Sequence, residues 1–278
     1  MTDDANHRYD PCNALTAKEL VLDFLSNRAP REMAAKVIVD SAAALGFSEQ
    51  SIRMALTRLV EEELALNPAR GLYRLAPSGD AMRREVRKWR TITALTQSWS
   101  HDWICIYDAP IARSDRAALR RHEQAIRLRG FREFRAGLWL RPANLRLSTA
   151  ELREELGALG LHRDALVAEI RNLDQHARDQ AMGSWDVKAL LASYEALMGA
   201  MESSQRRVER MELADAAAET LVLGRDVIRH INLDPLLPEE LTPQRPLRAM
   251  VHKMLEYDEK ARMIWRQFMR QFDHPTQN

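Results

Sequence analysis

Two amphipathic helical segments separated only by Gly46-Phe47-Ser48 constrain this chain more than any other feature. The earlier one spans roughly residues 33–45 and carries Val37, Ile38, Ala42 and Leu45 on one face. Gly46 suits the left-handed position that closes such a helix, and Ser48 suits the N-cap of the next. A short glycine-containing turn between two helices is the signature of a helix-turn-helix. A further helix precedes the pair over residues 16–28, with Leu20, Val21, Phe24 and Leu25 at helical spacing. Thr16 and Glu19 form a capping-box pattern at its start. After Leu64 the periodicity changes. Leu64, Leu66, Tyr73 and Leu75 flank Asn67-Pro68-Ala69-Arg70-Gly71, a proline- and glycine-punctuated hairpin. A lone hairpin is marginal in water, but packed on three helices it makes a wing. Residues 16–76 therefore read as a winged helix-turn-helix.

The helix over residues 49–64 has two unlike faces. Ile52, Ala55, Leu56, Leu59 and Val60 form the apolar one. The other presents Gln50, Met54, Thr57, Arg58 and Glu61, flanked by Ser51 and Arg53. Gln pairs with adenine, Arg with guanine or phosphate, and Thr or Met touches a thymine methyl. The candidate DNA-binding residues are Ser48, Gln50, Ser51, Arg53, Met54, Thr57 and Arg58, with Arg70 and Arg74 of the hairpin on the backbone or minor groove. An exposed polar face on a core helix is the bland alternative; the tight turn before it and the hairpin after it favour DNA.

Residues 77–90 read as a linker helix with a basic run from Arg83 to Arg90. Trp103-Ile104-Cys105-Ile106-Tyr107 is a buried strand, residues 116–129 a helix, 133–141 a strand, 149–159 a helix and 165–170 a strand. This β-α-β-α-β order, one strand short, suggests a ferredoxin-like unit. From Trp185 the periodicity is helical, interrupted by the proline-rich Asp234-Pro235-Leu236-Leu237-Pro238-Glu239-Glu240-Leu241-Thr242-Pro243. The expected class is α+β, mostly helical: a winged helix in 1–90, a ferredoxin-like domain in 91–175 and a helical domain in 176–278.

Composition narrows the function. A net charge of +1 provides no global field toward nucleic acid, so DNA affinity must come from a local patch. No segment is apolar enough for a membrane span, and the first residues lack a signal-peptide core. Cys12 and Cys105 lie in unlike contexts, which suits a reducing compartment, and the expected location is cytoplasmic. The eight histidines show no metal-ligand spacing, and no CxxC, HExxH or GxSxG is present. No cofactor, metal or enzymatic activity is expected.

Three stretches together resemble the PaaX family, repressors of phenylacetic acid catabolism. The first is Phe47-Ser48-Glu49-Gln50-Ser51-Ile52-Arg53-Met54-Ala55-Leu56-Thr57-Arg58-Leu59-Val60 with Gly71-Leu72-Tyr73-Arg74-Leu75 and Gly79. The second is Trp103-Ile104-Cys105-Ile106-Tyr107-Asp108-Ala109-Pro110, with Gly130-Phe131 and Gly137-Leu138-Trp139-Leu140-Arg141-Pro142. The third is Asp234-Pro235-Leu236-Leu237-Pro238-Glu239-Glu240-Leu241. The resemblance implies a dimeric regulator of a catabolic operon that binds a partly palindromic operator and is released by an acyl-CoA, phenylacetyl-CoA in the namesake. One departure is Thr242-Pro243-Gln244-Arg245-Pro246-Leu247, where the family carries a tryptophan. The effector's identity therefore stays open.

Between Arg113 and Arg141 nine arginines face three acids, the strongest local charge in the sequence. These arginines suit coenzyme A phosphates or an extended DNA footprint as well as a solvated helix face. The candidate effector residues are Arg113, Arg116, Arg120, Trp139, Arg141 and Arg229. The middle segment also resembles the small ferredoxin-like nuclease of CRISPR adaptation complexes, whose strand-ending aspartate binds a divalent metal. Asp108 occupies that position, so a metal-dependent nuclease is the alternative reading.

Overall fold

The computed structural model describes residues 15–28, 31–111 and 114–272. The class is α+β and mostly helical. The chain groups into two compact units. One holds the residues up to 90 together with 198–228 and those from 252 on; the other holds 91–197 with 229–251.

In the first unit the helices α1 (Ala17–Arg28), α2 (Ala35–Ala43) and α3 (Glu49–Glu61) form a helix-turn-helix with its supporting helix. Thr16 caps α1 through reciprocal hydrogen bonds with Glu19. Leu20, Val21, Phe24 and Leu25 of α1 meet Ile38 and Ala42 of α2 and Ile52, Leu56 and Leu59 of α3, all buried. Full burial of each such large side chain is worth about 1.5–3 kcal/mol. The second helix begins later than its periodicity suggests, because Met33–Ala34 is extended as β1. It pairs with β3 (Leu72–Leu75), Met33 opposite Tyr73, and β3 pairs in turn with β2 (Ala65–Ala69). The wing thus has three strands, in the order β1-β3-β2. The turn shrinks to Arg70-Gly71, with Gly71 at φ +77°. Pro68 lies within β2 beside a register shift, on an edge strand where its missing N–H costs nothing.

The helix α4 (Pro77–Arg87) follows, then a 3-10 helix (Lys88–Leu95). The sequence places the end of the winged helix near residue 90, but the core continues through distant segments. Ala217 and Ala218 of α9 (Leu213–Asn232) and Phe268 of α10 (Gln244–Arg270) are buried in the same cluster. Trp265 meets Phe24 edge-on at 5.7 Å. Arg225 donates to Asp23 at 2.6 Å and to Glu19 at 2.9 Å. The residues expected to form a separate helical domain, 176–278, are divided between the two units.

The second unit contains β4 (Trp103–Tyr107), α5 (Arg116–Leu128), β5 (Arg132–Arg135), β6 (Leu138–Pro142), α6 (Thr149–Leu159) and β7 (Leu166–Ile170). Every strand pair is antiparallel and the order is β5-β6-β4-β7, the ferredoxin-like arrangement. The strand missing from the sequence reading comes from 133–141. A two-residue turn, Ala136-Gly137, splits that stretch into a hairpin. Gly137 has φ +72°, and a Cβ there would lie 2.6 Å from the Ala109 side chain, so only glycine fits.

One face of this sheet carries Trp103, Cys105 and Leu140, packed with Trp99, Trp185 and Leu237. Trp103 lies edge-on to Trp99 at 5.1 Å and stacks on Trp185 at 6.3 Å. By strand alternation, Ile104 and Ile106 face the opposite side, and both are buried. The helix α7 (Gln175–Met182), capped by Asp174, belongs to this unit, and α8 (Val187–Arg207) is divided between the two units after residue 197.

Candidate nucleic-acid interface

The geometry of α3 starts at its N-cap. The Ser48 hydroxyl accepts the Ser51 N–H at 3.2 Å, and the Ser51 hydroxyl donates to the Ser48 carbonyl at 2.7 Å. Phe47 is buried beside this cap and fixes the entry of the helix. Ile52, Ala55, Leu56 and Leu59 face the core, which turns the opposite face to solvent.

On that outer face the expected reading residues separate into two groups. Ser48 and Ser51 cap their own helix, Thr57 donates to the Arg53 carbonyl at 3.1 Å, and Arg53 pairs with Glu49 at 2.7 Å. Gln50, Met54 and Arg58 are exposed, and among the described residues none of the three makes a side-chain hydrogen bond or ion pair. Met54 is 48% exposed on this face. Met54 and Arg58 share an open depression with Arg53, Thr57 and Glu61. Arg70 is exposed at the tip of the wing, and Arg74 is half-buried opposite Leu66. Placed together are one uncommitted row on α3 and a basic wing tip, which is the chemistry that base edges and phosphates call for.

The residues expected at an effector site do not converge. Arg113 lies outside the described residues. Arg116 and Arg120 are exposed one turn apart on α5, and Arg229 is exposed near the end of α9. Trp139 is buried, and its indole N–H donates to Asp108 at 3.1 Å. Arg141 is 2% exposed and donates inward to the Arg129 carbonyl, the Pro142 carbonyl at 3.2 Å, the Asn144 side chain at 3.2 Å and the Pro235 carbonyl at 3.5 Å. Burial, with nearby Arg129 adding to it, pulls its pKa down to about 9. Arg141 and Trp139 are thus interior fastenings rather than anion ligands.

A different set does share a surface depression: Arg120, Glu123, Gln124, Arg127, Leu128 and Leu233. Arg127 also lies over the Trp139 ring at 5.0 Å. Of these residues only Arg120 is among the candidates read from the sequence; Arg127 is not singled out there, and Leu233 comes from far along the chain.

Asp108, the candidate metal ligand, is 2% exposed. Its Oδ2 receives Trp139 and lies 2.9 Å from His122 Nε2. The His162 N–H donates to His122 Nδ1 at 3.0 Å, so the imidazole proton resides on Nε2 and points at the carboxylate. Through Oδ2 this carboxylate is an internal acceptor that locks α5 to the sheet.

The proline-rich segment joins the same unit. Asp234 accepts the Tyr194 hydroxyl and, at 2.8 Å, the Leu236 N–H. Asn144 donates to the Leu236 carbonyl at 2.8 Å. Gly130 lies so close to Pro235 that a Cβ would come within 2.8 Å of its carbonyl oxygen.

No protein-family model matches the sequence, and no curated protein matches it. Among solved structures the chain is similar to the uncharacterized protein Rv0674 from Mycobacterium tuberculosis, with 25% identity and a TM-score of 0.60. The match covers 90% of this chain and 99% of that one, so the likeness extends through both units. Among the described residues, no helix is long and apolar enough to cross a membrane.

Proposed function

We propose that this chain is a sequence-specific DNA-binding transcriptional regulator of the PaaX type, without enzymatic activity. The observation that carries this reading is the outer face of α3, where Gln50, Met54 and Arg58 are exposed and uncommitted beside a wing tipped by Arg70. A helix held by four buried apolar side chains with polar readers outward is what major-groove recognition requires. In this reading a homodimer sets two copies of α3 in successive major grooves of a partly palindromic operator, represses a catabolic operon and acts in the cytoplasm. An acyl-CoA-like effector releases it by binding the non-operator state more tightly than the operator-competent one. The depression lined by Arg120, Arg127 and Leu233 is where such an anion with an apolar tail finds matching chemistry.

Selection of duplexes from a random pool tests the function. Enrichment of a sequence with two related half-sites one helical turn apart is the expected result. Arg58→Ala then weakens binding to the selected duplex by about 1–3 kcal/mol. Recovery of no sequence preference would sink the proposal.

A further inference from the structure

The winged-helix unit holds a second concentration of positive charge, away from the outer face of α3. Arg83 and Arg87 lie one turn apart on α4, and Arg90 follows in the 3-10 helix. Arg90 and Arg262 of α10 both donate to the same oxygen of Asp258, Arg262 at 2.8 Å, so two remote chain segments bring their guanidinium groups to one place. Asp80 is likewise shared, its Oδ1 with Arg83 and its Oδ2 with Arg84. Among the described residues, four guanidinium groups, those of Arg83, Arg84, Arg90 and Arg262, thus meet two carboxylates, those of Asp80 and Asp258, and Arg87 stands near Arg83, Arg262 and Arg90. Among the described residues Arg87 makes no ion pair. Partial burial, followed by the nearness of Arg83, Arg262 and Arg90, lowers its pKa.

Like charges held this close raise the energy of the free protein, and an anion with many oxygens relieves the repulsion. The position of the cluster indicates which anion. Ser78, in the first turn of α4, donates to the Glu63 carbonyl just past the end of α3, and the Ala76 N–H donates to the Leu64 carbonyl at 3.0 Å. The start of the arginine-bearing helix is therefore fastened to the residues that directly follow the recognition helix. We infer that the arginine face of α4, the 3-10 helix and α10 grips the phosphate backbone of the duplex that α3 reads, as a second and sequence-independent contact. This rests on the DNA-binding reading above. It assigns a ligand to the basic run at Arg83 to Arg90 and draws Arg262, distant in sequence, into the same footprint.

The test is the salt dependence of binding to a short duplex of random sequence, followed by fluorescence anisotropy. Each phosphate contact contributes about 0.9 to the slope of log affinity against log salt. Arg87→Ala should lower that slope by about one, and Arg87→Ala combined with Arg262→Ala by about two. Between about 50 and 200 mM salt, the double variant should then lose roughly tenfold less affinity than the parent does. Arg87→Lys, which keeps the charge, should retain the parental slope. The single variant guards against a folding defect, since among the described residues Arg87 holds no ion pair to lose. Arg163→Ala, at a 90% exposed arginine of the other unit, is the control and should leave the slope unchanged. If the parent binds duplex and Arg58→Ala lowers the slope while the Arg87 and Arg262 variants do not, the second contact is refuted and the recognition helix stands. If the parent binds no duplex at all, both fall.

Discussion

Arg141 reaches across 94 residues of sequence to donate to the carbonyl of Pro235. Its neighbour Asn144 does the same for Leu236. Together they attach the proline-rich segment to the ferredoxin-like sheet through neutral acceptors only. Replacing Arg141 with Ala strips partners from the Arg129 and Pro235 carbonyls and leaves a void. The expected loss is about 3 kcal/mol or more in urea unfolding, and Asn144→Ala should cost about 1–3 kcal/mol. A loss below 1 kcal/mol for Arg141→Ala would mean that the fastening is dispensable.

The buried pair Tyr194 and Asp234 makes stability depend on pH. Burial raises the pKa of Asp234, against the opposing pull of the Tyr194 and Leu236 hydrogen bonds. A carboxyl group with its folded pKa above its unfolded value adds stability below the unfolded pKa, and this is lost as pH rises through the folded pKa. Asp234→Asn should therefore match the parent near about pH 3 and exceed it in urea midpoint near about pH 7. An advantage that shrinks with rising pH would contradict the assignment.

Ser48 sits where a helix cap and a DNA contact coincide, and two substitutions separate these roles. Ser48→Ala should lower thermal stability by about 1 kcal/mol through loss of the cap. Ser48→Asp keeps a capping oxygen and so the stability, but sets a negative charge beside the reading face. It should weaken duplex binding with little change in melting temperature. Unimpaired binding by the aspartate variant would place Ser48 away from the phosphates.

Gln50 is the most N-terminal free reader on α3. Gln50→Ala should relax sequence preference at one base pair of each half-site, with a discrimination loss of about 1–3 kcal/mol. Repeating the duplex selection with the variant reads this directly; an unchanged preferred sequence would remove Gln50 from base contact.

Effector binding has its own readout. A panel of acyl-CoAs and aromatic acids should include one that raises the melting temperature with concentration, as binding to the folded state requires. Arg120→Ala and Arg127→Ala should abolish that rise without unfolding the unit, because both side chains are exposed. A rise that survives both changes would put the ligand elsewhere.

The helix-turn-helix was legible because its signals are local: Ser48 as a cap, Gly46 as a stop, and the apolar spacing of Ile52, Leu56 and Leu59. The ferredoxin-like unit was legible but for one strand, since Glu133-Phe134-Arg135-Ala136-Gly137-Leu138-Trp139 alternates without a visible break and only the φ +72° of Gly137 turns it. Arg141 was misread for a different reason. An arginine in a basic stretch suggests surface, and the carbonyls that draw it inside lie at Arg129 and Pro235, which no local pattern connects. Long-range partners likewise hid Leu233 beside Arg120, and Phe268 beneath α1.

Phe268 also bears on how such a chain is made. It lies fully buried in the cluster built by side chains of α1, α2 and α3, so that core is complete only with nearly the last turn of α10 in place. Without α10 the apolar flank of α1 that Trp265 and Phe268 cover stays open to solvent. A stop codon ahead of residue 268 therefore takes away a wall of the N-terminal core rather than a dispensable tail.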